Sequence, residues 1–223
     1  MTKFRFSIGK KIGAGFGVLL LLTVIVFALT NATVYESRKI NDQIININNP
    51  SVDVLEELNL LMVSSKMLII SWVGTPASGD PDKENLRLLI YKDYPELKIK
   101  IEKLAVNWTK ENQEQSHEIF TLIDELFLFH EDIMAQLNSF ESYSDPMVEF
   151  LIHPMVFGGQ VDEWTTMILD KLLVLIDEQH ENTSEVSEKM LLSFDDLEFV
   201  VKTLGMALLI GGLLIAFFTV QSI

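Results

Sequence analysis

Apolar residues are distributed along this chain in two ways. From Ile12 to Tyr35, a run of 24, and again from Thr203 to Ile223, a run of 21, no charged residue occurs. Between these runs the apolar positions are spaced. Ile40, Ile44, Ile47, Ser51, Val54, Leu58, Leu61, Ser65, Leu68 and Trp72 follow one another at alternating steps of four and three without a slip. That is the period of one helix face laid along another. Leu86, Ile90, Tyr94, Leu97, Ile101, Leu104 and Trp108 form a second stripe, and Ile119, Leu122, Leu126, Phe129, Ile133, Leu137 and Phe140 a third. A fourth begins near Gln160 and runs through Trp164, Ile168, Leu172, Leu175, Val186, Met190, Leu197 and Leu204 into the second uncharged run. No two-residue alternation of the strand type competes with these patterns.

The segments between stripes are turn-like. Gly74–Asp82 reads GTPASGDPD, Ser142–Pro146 reads SYSDP, and Thr109–Gln115 reads TKENQEQ, a polar turn or a largely helical stretch. Pro50 and Pro95 fall inside stripes, and each predicts a bend. Short turns make successive helices antiparallel. The predicted fold is therefore all-α, an up-down-up-down four-helix bundle over 35–202. The fourth helix is longer than the others, and its excess, 189–203, matches 35–49 of the first. A two-helix stalk below the bundle accounts for both pieces.

A helix of about 20 apolar residues spans the roughly 30 Å hydrocarbon layer of a bilayer. Both uncharged runs qualify, giving transmembrane helices over 12–34 and 203–223. The first run is too long for the apolar region of a cleaved leader, so it reads as a retained anchor. Lys3, Arg5, Lys10 and Lys11 precede it with no acid among them, which places residues 1–11, and with them both termini, in the cytoplasm. Residues of about 36–202 then lie on the outer side. That segment holds all 32 acids and 13 of the 17 basic residues. Such an excess of negative charge argues against nucleic acid or anionic lipid as a partner.

The inventory offers little catalytic chemistry. There is no cysteine and no glycine-rich phosphate loop. Only Glu114 with His117, and Asp177 with His180, resemble fragments of a di-iron ligand set, which needs two such pairs and two further glutamates. We therefore expect no catalytic residue, no metal and no cofactor. A binding site is more plausible at the end of the bundle far from the membrane. There the Gly74–Asp82 turn and the apolar stretch MVEFLIHPMVFGG (Met147–Gly159) come together, the latter as a cap on the core or as a lid. Lys66, Trp72, Arg87, Tyr91 and His153 fall near that end, and cations among aromatics suit a small carboxylate. In the membrane runs, Gly9, Gly13 and Gly17, and Gly211, Gly212 and Ala216, provide small residues for close helix packing.

This layout resembles the input half of bacterial transmembrane receptors. These are the methyl-accepting chemoreceptors and the sensor histidine kinases that carry a chemoreceptor-type four-helix-bundle sensor domain. The opening KKIGAGFGVLLLLTVIV (Lys10–Val26) is similar to that of many such receptors, and Gln221-Ser222-Ile223 looks like the start of a HAMP linker. The resemblance implies a homodimer in the bacterial inner membrane, a periplasmic sensor domain, a small-molecule or periplasmic-protein ligand, and a cytoplasmic output domain beyond Ile223. It transfers no ligand-binding residue. The alternative expectation, of a different class, is a membrane-anchored structural or partner-binding subunit complete as written.

Overall fold

A computed structural model describes residues 8–76 and 79–221. Lys3, Arg5, Ser222 and Ile223, used above for orientation and for the linker resemblance, lie outside the described residues. The described residues form helices α1 (Ile8–Gln43), α2 (Asn49–Gly74), α3 (Pro81–Leu88), α4 (Tyr94–Ala105), α5 (Lys110–Gln136), α6 (Phe140–Tyr143), α7 (Pro146–Val156) and α8 (Gln160–Gln221), with no strand among them. Two five-residue π-turns, Ile44–Asn48 and Leu89–Asp93, join α1 to α2 and α3 to α4. Each precedes a proline by two residues, Pro50 and Pro95. Proline has no N–H to donate and crowds the carbonyl four residues back. A locally widened turn relieves that crowding, so the helix continues through each proline instead of ending there.

The chain divides into two units, at Ile44/Ile45 and at Thr183/Ser184. The first consists of residues up to Ile44 together with those from Ser184 onward. Here α1 and the second half of α8 run antiparallel. Gly15 lies against Ile215, and Gly211 against Leu19. The covered positions on the two helices recur at matching intervals in opposite chain directions, as antiparallel packing requires: Leu22 with Leu208, Val26 with Leu204, Ser37 with Ser193, Ile40 with Met190, Ile44 with Val186. Only this seam is shielded, and Leu20, Phe27, Leu209 and Leu213 on the remaining surface are all about 70% exposed. Both helices are long and apolar enough to cross a membrane, with mean hydropathy of 2.3 and 2.2 in their most apolar windows and no residue of those windows buried inside the protein. Apolar surface of this extent is uncommon on a helix that faces water.

The second unit comprises residues 45–183. α2, the α3–α4 segment, α5, α7 and the first half of α8 share one core that includes Leu58, Leu97, Leu126, Ile152 and Leu172. Salt bridges tie α8 to its neighbours, Lys66 to Asp162 and Lys171 to Glu118, the latter at 3.0 Å. Phe129 of α5 meets Trp164 of α8 at 6.1 Å between ring centroids. The α3–α4 stripe is buried as its spacing predicts from Leu86 to Ile101 and again at Trp108, with Leu104 partly buried. On α2 the buried face is wider than predicted. Leu55, Met62 and Ile69 are buried with Ser51, Leu58, Ser65 and Trp72, whereas the expected Val54, Leu61 and Leu68 are only partly buried at its edge, because a helix inside a multi-helix core covers more than a two-helix seam.

Two features of this core are polar. His130 on α5 is fully buried, with Nδ1 3.4 Å from the Ser65 hydroxyl and no partner for Nε2 among the described residues. At the end where the chain enters at Ile45 and leaves at Thr183, Asn48, Ser51, Asn112, Ser116 and Gln179 are all buried. The Trp108 indole N–H donates to Ser51 Oγ at 2.8 Å, while Asn112 Nδ2 and Gln179 Nε2 have no partner among the described residues.

Candidate ligand site at the far end of the helical unit

The opposite end of this unit is built from caps. Asp80 precedes α3 and accepts a hydrogen bond from the Asp82 N–H at 2.9 Å, with Pro81 at the first helical position. Asp145 does the same for α7, accepting from the Met147 N–H at 2.9 Å ahead of Pro146. Such caps satisfy otherwise unpaired N–H groups and fix where each helix starts. Between them, Ser139 and Ser142 cap α6 reciprocally. The helix α7 covers the end of the core with Ile152 and Val156, 2% and 1% exposed. It turns into α8 through Gly158, whose φ of +79° favours glycine, and Gly159, where a Cβ would overlap the Pro154 carbonyl oxygen.

Within this frame sits Lys83, on the first turn of α3 and only 7% exposed. Its ammonium donates to Tyr143 Oη at 2.9 Å and lies 4.7 Å from the Tyr143 ring centroid and 5.3 Å from that of Trp72. Tyr143 Oη in turn donates to the Trp72 carbonyl oxygen at 2.7 Å. Arg87, one turn along α3, lies 5.2 Å from the Trp72 ring centroid and 3.8 Å from the Glu84 carboxylate. An ammonium enclosed by aromatic faces is held by the ring quadrupoles. Burial lowers the Lys83 pKa, opposed by nearby Asp80, and burial pushes the Tyr143 phenol up to about 12.

Two cavities open beside this cluster and share Pro76 and Tyr143. One, of about 370 Å³, has Lys83, Asn138 and Ser139 in its wall. The other, of about 190 Å³, is bounded by Val73, Leu137, Ile152 and His153.

The residues expected from sequence are partly brought together. Trp72 and Arg87 meet, and His153 stacks on Phe157 at 5.1 Å and borders the smaller cavity. Lys66 is instead paired with Asp162 of α8. Tyr91 is 61% exposed on the second π-turn, beside Glu131. Sequence reasoning missed Lys83 and Tyr143, the centre of the cluster. His117 is exposed on α5, and His180 lies 4.0 Å from Glu56 on the surface. No group of three metal-ligating side chains occurs among the described residues. In the apolar helices, Gly9, Gly13, Gly17 and Gly212 have nothing within 4 Å and Ala216 is exposed, so of the expected small residues only Gly211 sits at the contact between α1 and α8. Gly15, which the four-residue spacing passes over, is the closest approach.

Comparison with known proteins finds no family model, no curated protein and no solved structure that matches this chain.

Proposed function

We propose that this chain is the sensory input and transmembrane signalling module of a bacterial receptor of the chemoreceptor or histidine-kinase type. In this reading the unit of residues 45–183 is a periplasmic four-helix bundle. The apolar parts of α1 and α8 are two spans of the inner membrane, with both termini cytoplasmic. The molecule works as a homodimer, and a stimulus received outside is passed to a cytoplasmic output domain. The chain's own task is mechanical and not catalytic.

The observation that carries this reading is the continuity of α8. Residues 160–221 form a single 62-residue helix, whose first part contributes to the core of the helical unit and whose last part is the apolar run. A displacement of one or two ångströms at one end of such a helix reaches the other with little loss, which is how helix shifts operate as switches. Dimerisation is supported by Leu192 and Phe199, which lie outside the expected span and are 56% and 71% exposed. They continue at a seven-residue step into Met206 and Leu213, and that is the repeat of a helix–helix seam. The test is a fusion of the full chain to a cytoplasmic kinase reporter. Insertion of four glycines after Glu188 should leave membrane insertion intact and abolish the response. An unchanged response with the glycines in place refutes transmission through α8.

The alternative, a membrane-anchored partner-binding subunit, is favoured by one observation. Met147, Phe150, Leu151 and Phe157 on and beside α7 are all about half or more exposed. If this face serves a protein partner, Phe150→Ser should abolish co-purification of that partner and leave the glycine insertion without effect.

A further inference from the structure

The geometry points to a binding site for a short-chain monocarboxylate in the 370 Å³ cavity walled by Lys83, Asn138, Ser139 and Tyr143. This rests on the reading of the chain as a sensor input and names the class of ligand sensed. Lys83 is the only lysine or arginine buried among the described residues. It has no carboxylate oxygen within 4.0 Å among the described residues. The neighbouring acids are engaged elsewhere: Asp80 accepts from the Asp82 N–H at 2.9 Å, and Asp82 from the Ser71 hydroxyl at 2.7 Å. A buried cation with no carboxylate in direct contact is costly, and nearby Asp80 and the facing aromatic rings offset that only in part.

An ammonium has three N–H donors. One is used on Tyr143 Oη, and no other protein acceptor is hydrogen-bonded to Lys83 Nζ. A carboxylate in the adjoining cavity would accept the remaining donors in a charge-assisted hydrogen bond, with the Asn138 amide and Ser139 as further polar wall. The rest of the lining is apolar, with Pro76 and Phe140 suited to a short hydrocarbon tail. A cavity of this size falls in the usual range of small-molecule sites. A single cation in the wall matches a single negative charge. Arg87 is not in the lining, so a second carboxylate would lack a counterion. Because the cavity is bounded by the turn before α3 and the start of α6, an occupant would tie these two segments together.

The test uses the full chain in detergent micelles. Its thermal midpoint is followed by tryptophan fluorescence during titration with acetate, propionate, butyrate or succinate, against chloride at equal ionic strength. A saturable rise in midpoint with a monocarboxylate is expected. Lys83→Met, which keeps the apolar stem and removes the charge, should weaken that binding at least tenfold. Asn138→Leu, at an exposed loop position outside the core, fills the cavity and should weaken it similarly, which guards against misfolding of the lysine variant. No monocarboxylate effect beyond chloride, binding by both variants as tight as by the wild type, or tighter binding of succinate than of butyrate overturns the inference. Binding and signalling separate in the reporter fusion. Carboxylate binding with no reporter response keeps this site and removes the receptor reading. A response to another stimulus that survives Lys83→Met, with no carboxylate effect, removes the site alone.

Discussion

Lowering the pH from 7 to 5 should weaken the helical unit through one residue, His130. The ring is fully buried between Ser65 and Phe127, the Phe127 ring centroid lying 5.8 Å away, and Nε2 has no partner. Burial pulls its pKa down to about 3. In the unfolded chain the imidazole takes a proton near its ordinary value of about 6.5. Between those values the unfolded state holds a proton that the folded state refuses, so stability is complete above about pH 6.5 and falls as pH drops toward 3. The slope for one group is about 1.4 kcal/mol per pH unit, which gives roughly 2 kcal/mol at pH 5. Many carboxylates titrate in the same range, so the measurement must be a difference. Urea unfolding of the full chain in detergent, followed by circular dichroism at pH 7 and 5, would be compared with His130→Leu. The substitution also removes an unpaired polar nitrogen, so it should be near neutral at pH 7. The wild type should lose roughly 2 kcal/mol more than the variant on acidification. Equal losses within about 0.5 kcal/mol would refute a dry, neutral His130.

Three further outcomes follow from the packing. Gly159→Ala places a methyl group on the Pro154 carbonyl oxygen and should destabilise the α7–α8 turn by about 1–3 kcal/mol in the same urea assay, whereas the exposed Gly79→Ala should be nearly silent. Gly15→Leu collides with Ile215 and should slow disulfide formation between cysteines placed at Leu22 and Leu208, whereas Gly13→Leu, with nothing within 4 Å, should not. Cysteine at Phe199, 71% exposed, should crosslink two copies in membranes. At Ile44, which is partly covered, it should not; strong crosslinking at Ile44 would count against the α1–α8 seam.

Helix positions and the α3–α4 core face were legible because apolar spacing encodes them directly. Leu86, Ile90, Tyr94, Leu97 and Ile101 are buried as the stripe requires. The third stripe overran: Phe140 continues its period but is 70% exposed, because α5 ends at Gln136 and the Ser139 cap starts a new helix. Leu55, Met62 and Ile69 were passed over because spacing alone does not say how many neighbours a helix has. The Lys83 cluster was illegible for another reason. A lysine in a first turn beside Asp82 and Glu84 reads as a solvated charge. Its burial comes from Tyr143, 60 residues away in a segment that looks like an ordinary polar turn. The π-turns at Ile44–Asn48 and Leu89–Asp93 could be suspected from the prolines but not distinguished from plain bends.

The layer of buried amides and hydroxyls, from Asn48 and Ser51 through Asn112 and Ser116 to Gln179, acts as an index mark at one end of a core built mainly of leucine and isoleucine. Aliphatic layers one turn apart are nearly equivalent, so a helix sliding about 5.4 Å would find almost the same fit. A polar layer removes that degeneracy, because any such slip sets amides against hydrocarbon, as a lone asparagine does in a coiled coil. The axial position of α8 is therefore defined to a fraction of a turn, and only displacements smaller than that leave the layer in register.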